Sequence, residues 1–83
     1  NMWYQAYANR KVGIRELKNS IIKTDTAILD NGDVIKCNSE RSFVTEDKEQ
    51  ARQWLIDKLE FQIECNRSTE KRLLKTLAMV KEL

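Results

Sequence analysis

Residues 27–37 read Ala27-Ile28-Leu29-Asp30-Asn31-Gly32-Asp33-Val34-Ile35-Lys36-Cys37, two apolar runs separated by Asn-Gly. A two-residue type I′ loop needs positive φ at both central positions, and Asn and Gly tolerate it best, so this stretch predicts a β-hairpin. Such a loop sets Leu29 opposite Val34, Ile28 opposite Ile35 and Thr26 opposite Cys37. Both faces of the hairpin would then carry aliphatic pairs, which implies a small barrel-like sheet or a second face covered by a helix or a partner. Asp30, Asn31 and Asp33 do not make a calcium loop, because the further oxygen ligands and terminal Glu of an EF-hand are missing.

On the N-terminal side, Met2 to Ala8 is aromatic and loosely alternating and suits a first strand, followed by the polar connection Asn9-Arg10-Lys11. In Val12 to Thr24 the apolar positions change phase, with Val12 and Ile14 on one parity and Leu17 and Ile21 on the other. Because strand side chains alternate faces, the slip predicts a bulge or bend between Ile14 and Leu17.

On the C-terminal side, Phe43-Val44 closes the sheet region and Thr45 is the predicted N-cap of a helix whose first turn carries Glu46, Asp47 and Glu49. From there to Leu83 no Gly or Pro occurs. At 100° per residue Ala51, Leu55, Ile56, Leu59 and Ile63 form one stripe, to which Leu73, Leu74, Leu77 and Val80 return if the helix never breaks. That phase match favours one helix of about 38 residues and about 57 Å. The polar run Cys65-Asn66-Arg67-Ser68-Thr69 leaves a helical hairpin as the alternative. Trp54, Phe61 and Cys65 form a second apolar line, implying a second contact and marking Trp54 and Phe61 as candidate partner-binding residues. The expected fold is α+β in a single domain over residues 1–83. Residues 2–44 form a small antiparallel sheet of three to five strands, meander or barrel-like, and 45–83 a long amphipathic C-terminal helix or helical hairpin.

Composition narrows the function. The chain has 83 residues, 34% of them charged, with a net charge of +2. Without His, imidazole catalysis and His-ligated metal sites are unavailable, and with Gly only at 13 and 32 no phosphate-cradling loop exists. No carboxylate is placed against a nucleophile or a partner acid, so no catalytic residue, cofactor or metal is expected and the chain reads as a non-enzyme. Cys37 and Cys65 lack the spacing of a disulfide framework or a zinc site and read as free thiols in a reducing compartment. With no membrane-spanning run or signal peptide, a cytoplasmic location is expected. Asn1 before Met2 reads as the remnant of an expression tag.

The junction Phe43-Val44-Thr45-Glu46-Asp47-Lys48-Glu49-Gln50-Ala51-Arg52-Gln53-Trp54-Leu55 resembles two known arrangements. Together with Gly13-Ile14-Arg15-Glu16 and the Asn-Gly turn, it is similar to short uncharacterised phage and prophage proteins in which a small sheet precedes a long C-terminal helix. That likeness covers most of the chain and implies no activity. The junction alone also resembles the arm-site DNA-binding domain of phage integrases, a three-stranded sheet followed by a Thr-capped helix. Those sheets present clustered basic residues, whereas Asp25, Asp30 and Asp33 occupy this hairpin.

The reading favoured by these features is a protein-protein interaction module, a phage-type accessory factor acting by binding a host or phage protein. A helix that overhangs so small a body carries Leu73, Leu74, Leu77 and Val80 into solvent, which predicts a coiled-coil homodimer of antiparallel helices. The alternative is nucleic-acid binding through the sheet, with Arg15, Lys18 and Lys23, joined by Lys36 and Arg41, on phosphates and Trp3, Tyr4 or Tyr7 stacking on bases. Weak, unspecific binding is expected there, because bases and acids interleave along the chain. Aromatics in a first strand are more often core than stacking platform.

Overall fold

The structure is a computed structural model that describes residues 2–83; Asn1, read above as a tag remnant, lies outside the described residues. The chain forms β1 (Trp3–Ala8), β2 (Val12–Leu17), β3 (Ile21–Ile22), β4 (Thr26–Ile28), β5 (Val34–Lys36), β6 (Ser42–Thr45) and α1 (Lys48–Lys81). These are six strands in two three-stranded sheets, ordered β2-β1-β6 and β3-β4-β5, rather than one sheet of three to five. All named pairings are antiparallel. The sheets are stitched together where the Val44 N–H donates to the Cys37 carbonyl at 2.8 Å.

The phase slip in Val12 to Thr24 has a different cause from the bend expected between Ile14 and Leu17. β2 pairs with β1 in one unbroken register, from Trp3 opposite Leu17 to Ala8 opposite Val12. Its apolar residues change parity because both faces of the first sheet are covered. Ala6, Ala8 and Ile14 pack with Ala51 and Leu55 of the helix, while Trp3, Leu17 and Val44 pack with Ala27, Leu29 and Cys37 of the second sheet region. The chain leaves β2 only after Leu17, at Asn19, whose φ of 54° is in the left-handed region that Asn tolerates better than most residues.

The hairpin forms, but one residue out of the expected register. Ile28 lies opposite Val34, Ala27 opposite Ile35 and Thr26 opposite Lys36. Gly32, at φ +90°, has positive φ and Asn31 does not, so the loop is not type I′. The Gly32 N–H closes a four-residue turn on the Leu29 carbonyl at 3.0 Å, and the Leu29 N–H donates to Asp33 at 2.8 Å. This is the three-residue loop with a bulge glycine. Asn31 Oδ1 accepts from the Asp33 N–H at 2.9 Å, using Asn31 as a side-chain turn former rather than a left-handed residue. The one-residue slip re-sorts the faces. Ala27, Leu29, Ile35 and Cys37 turn inward together, and Ile28 and Val34 turn outward.

Helix α1 is continuous, and no hairpin interrupts it at Asn66 to Thr69. Its N-cap is Asp47, two residues beyond the expected Thr45, with Asp47 Oδ1 accepting from the Glu49 N–H at 2.9 Å. Thr45 cannot serve because it is still a strand residue, paired with Tyr4. Its hydroxyl instead accepts from the Asp47 N–H at 3.1 Å and donates to Gln50 at 3.0 Å, bracing the turn into the helix.

The loop geometry makes a direct expectation. Gly32→Ala is expected to lower stability by about 1 kcal/mol, the cost of a Cβ at left-handed φ. A denaturation midpoint that does not move would show that Gly32 can leave that conformation, and Ile28–Val34 contacts by NMR check the register itself.

Candidate functional site

Backbone hydrogen bonding satisfies the helix internally, so what α1 offers to its surroundings is side chains. Only the start of the helix is used by the sheet. Ala51 and Leu55 are buried and Trp54, Ile56 and Lys58 half-buried, whereas every residue from Leu59 to Leu83 is exposed. The 34-residue helix is about 51 Å long and dominates a molecule of 62 × 24 × 20 Å. Leu73, Leu74, Leu77 and Val80, the expected self-association residues, stand 54%, 58%, 49% and 57% exposed on this projection.

The second apolar line divides. Trp54 stacks on Phe43 of β6 with ring centroids 6.0 Å apart and planes 13° from parallel, and the Lys58 ammonium sits 4.9 Å from the centre of a Trp54 ring. Lys58 also donates to the Glu40 carbonyl. The indole is therefore held by its own chain, while Phe61 is 70% exposed. Trp54 and Phe61 line an open recess that also takes in Asn9, Arg41 and Asp57.

The residues named for nucleic acid do not form one cluster. The Arg15 Nε donates to Gln5 Oε1 at 2.6 Å, and Gln5 Nε2 donates to Ser42 Oγ at 2.9 Å, so Arg15 terminates a polar ladder across β2, β1 and β6. Lys18 follows β2, in a depression shared with Arg15 but also with Glu16 and Asp30. Lys23 lies beyond β3, its carbonyl accepting the Cys37 thiol at 3.7 Å. Arg15 is grouped instead with Arg10, Lys11 and Tyr7 around a shallow hollow, and Arg10 and Lys11 were not singled out from the sequence because they read as a plain polar connection. Tyr7 lies across Gly13 so closely that a Cβ there would stand 2.6 Å from its hydroxyl, which identifies the aromatic as a cover for its neighbouring strand.

A further apolar row was hidden by the register. Ile21 is opposite Ile28, and Ile28 opposite Val34, on the outer face of the second sheet, with Ile21 60% and Val34 63% exposed. The bulge glycine is the signal that would have placed this row on one face.

The two thiols differ in kind. Burial, with a smaller contribution from the Asp25 carboxylate, pushes the Cys37 thiol above its ordinary value, so it stays protonated at neutral pH. Cys65 is exposed on the projecting helix. A disulfide reagent at neutral pH is expected to modify one thiol rapidly in the folded protein and the second only on unfolding, and Cys65→Ser should remove the rapid phase. A rapid phase that survives Cys65→Ser would contradict the burial of Cys37.

Among the described residues, no helix is long and apolar enough to cross a membrane. The chain matches no protein family, no curated protein and no solved structure.

Proposed function

We propose that this chain is a non-enzymatic protein-interaction module whose working surface is the distal part of α1. The observation that carries the reading is the run of exposed residues from Leu59 to Leu83, about 35 Å of helix without tertiary support. Most helical stability in proteins comes from packing an apolar face, and this segment has an apolar face with nothing of its own chain against it. Leu73, Leu77 and Val80 are each about half exposed, so covering one contributes about half of the roughly 1.5–3 kcal/mol of a full burial, and the three act together with the rest of the distal face against an association cost of roughly 4–15 kcal/mol. The sheet and the first turns of the helix act as the mount that presents this surface. In this reading the basic residues around Tyr7 are solvated surface, and the polar ladder from Ser42 to Arg15 is part of the sheet's architecture.

Capture from a lysate of the native host tests this when run with two baits, the wild-type chain and the Leu73→Asp/Leu77→Asp double variant. The expected result is one stoichiometric protein, a second copy of this chain included, retained through nuclease treatment by the wild type and lost by the variant. A nuclease-sensitive eluate equal for both baits would replace this function with nucleic-acid binding.

A further inference from the structure

From Ile56 onward α1 carries a second level of order that its exposure brings out. Positions 56, 59, 63, 66, 70, 73, 77 and 80 follow one another by alternating steps of three and four, the seam of a coiled coil. At Ile56, Leu59 and Ile63 the seam lies to one side of the Ala51 and Leu55 stripe that meets the sheet, and it drifts back into line with that stripe only beyond the body, so Ala51 and Leu55 remain committed to the sheet while the seam is open from Leu59 outward. It is apolar except for its middle, which is Asn66 and Glu70.

We infer that the partner of this seam is a second copy of the same chain, aligned antiparallel so that Asn66 of each copy meets Glu70 of the other. The inference rests on the interaction-module reading and names the partner. In this one register every layer matches: Ile56 with Val80, Leu59 with Leu77, Ile63 with Leu73, and the polar pair Asn66 with Glu70. The twofold axis passes near Ser68. A parallel pair would set Glu70 against Glu70 inside the seam, a buried like-charge contact, whereas the antiparallel pair gives each carboxylate an amide donor. The two symmetry-related Asn66–Glu70 layers, polar positions in an otherwise apolar seam, specify register.

Charge at the seam's edge selects the same orientation. Asp57, Glu60 and Glu64 lie on one edge in the proximal half, and Arg67, Lys71 and Lys81 continue that edge in the distal half. Turning the second copy end for end brings Lys71 of each helix beside Glu64 of the other and Lys81 beside Asp57, while Arg67 lies near the axis beside its own counterpart, and the opposite-charge pairs favour this orientation. The overlap from 56 to 80 spans about 36 Å, and the two sheet bodies come to lie at opposite ends of the rod. Leu74 falls beside the seam rather than in it, which separates its role from that of Leu73, Leu77 and Val80.

Disulfide pairing in a Cys65→Ser background tests both partner and register. Ile63→Cys and Leu73→Cys are prepared separately and oxidised alone and as an equimolar mixture. The expected product is a linked dimer containing one chain of each variant, formed in the mixture and absent from either variant alone. Ile63→Cys linking to itself would mean a parallel pair and overturn the inference, as would a monomeric mass for the unmodified protein by sedimentation at tens of micromolar. Leu73→Asp is expected to weaken dimerisation by at least ~100-fold while leaving the emission of Trp3 and Trp54 unchanged, because both report on the body and residue 73 is far from it. A monomer that still retains another protein through Leu73 and Leu77 would overturn the homodimer and leave the interaction-module function standing. Loss of both would remove both.

Discussion

The close seating of Ala51 against Ala6 and Ala8 is the contact on which the rest of this molecule depends. Ala6 and Ala51 have no exposed surface and Ala8 only 7%, and side chains that end at Cβ let the helix backbone settle directly onto the sheet. Tyr4, Ile14, Phe43, Trp54 and Leu55 close around this contact. Two residues separate the end of β6 from the start of α1, and the Thr45 and Asp47 side chains brace that turn, so the direction of the helix is set as soon as β6 has paired. A larger residue at 6 or 51 would lift the helix and expose the ring of aromatics beside it. With the direction set and the body so small, the remainder of the helix has nowhere to go but into solvent.

The central sheet explains why so short a chain can have two apolar clusters when, among the described residues, no large side chain is buried in full. Each face of β2-β1-β6 has a different cover, the helix on one side and the β3-β4-β5 sheet on the other. The polar ladder from Ser42 through Gln5 to Arg15 lies on the same face of β1 as Trp3, with Gln5 and Ser42 buried. Its members satisfy one another, so Gln5, only 6% exposed, carries no orphan amide.

Much of this was legible in the residues. The absence of Gly and Pro after Gly32, together with the phase match of Leu73, Leu77 and Val80 to Leu55 and Leu59, favours one helix over a hairpin at the polar run Cys65 to Thr69, and the aromatic run at Trp3 to Tyr7 suits a first strand. The errors came from features that depend on tertiary context. Asn-Gly is compatible with two loop types that differ by one residue, and only the packing of Leu29 and Ile35 on the same side selects the bulged one. The parity change between Ile14 and Leu17 has the same appearance whether a strand bends or is buried on both faces. Thr45 and Asp47 are both good caps, and the choice is made by a strand partner, Tyr4, far away in sequence. For the candidate site, the exposed distal leucines were legible as an overhang. The outer row of Ile21, Ile28 and Val34 was not, because it exists only in the corrected register.

The position of β1 in the middle of its sheet has a bearing on the order in which the chain can fold. One neighbour, β2, is local, but the other, β6, arrives from the far side of the second sheet, with Gln5 opposite Val44. A two-stranded hairpin is marginal in water, so β1 and β2 gain a lasting partner only when residues 42–45 have been synthesised and brought back. Closing a loop of that length costs little in final stability, since the entropy grows only with the logarithm of length, but it makes the pairing slow. The following helix is tied to β6 by its capping turn, so the segment that covers the edge of β1 and the one that covers its alanine face are held together. During synthesis the chain therefore keeps its first strand half-finished until almost the same moment that it acquires its rod.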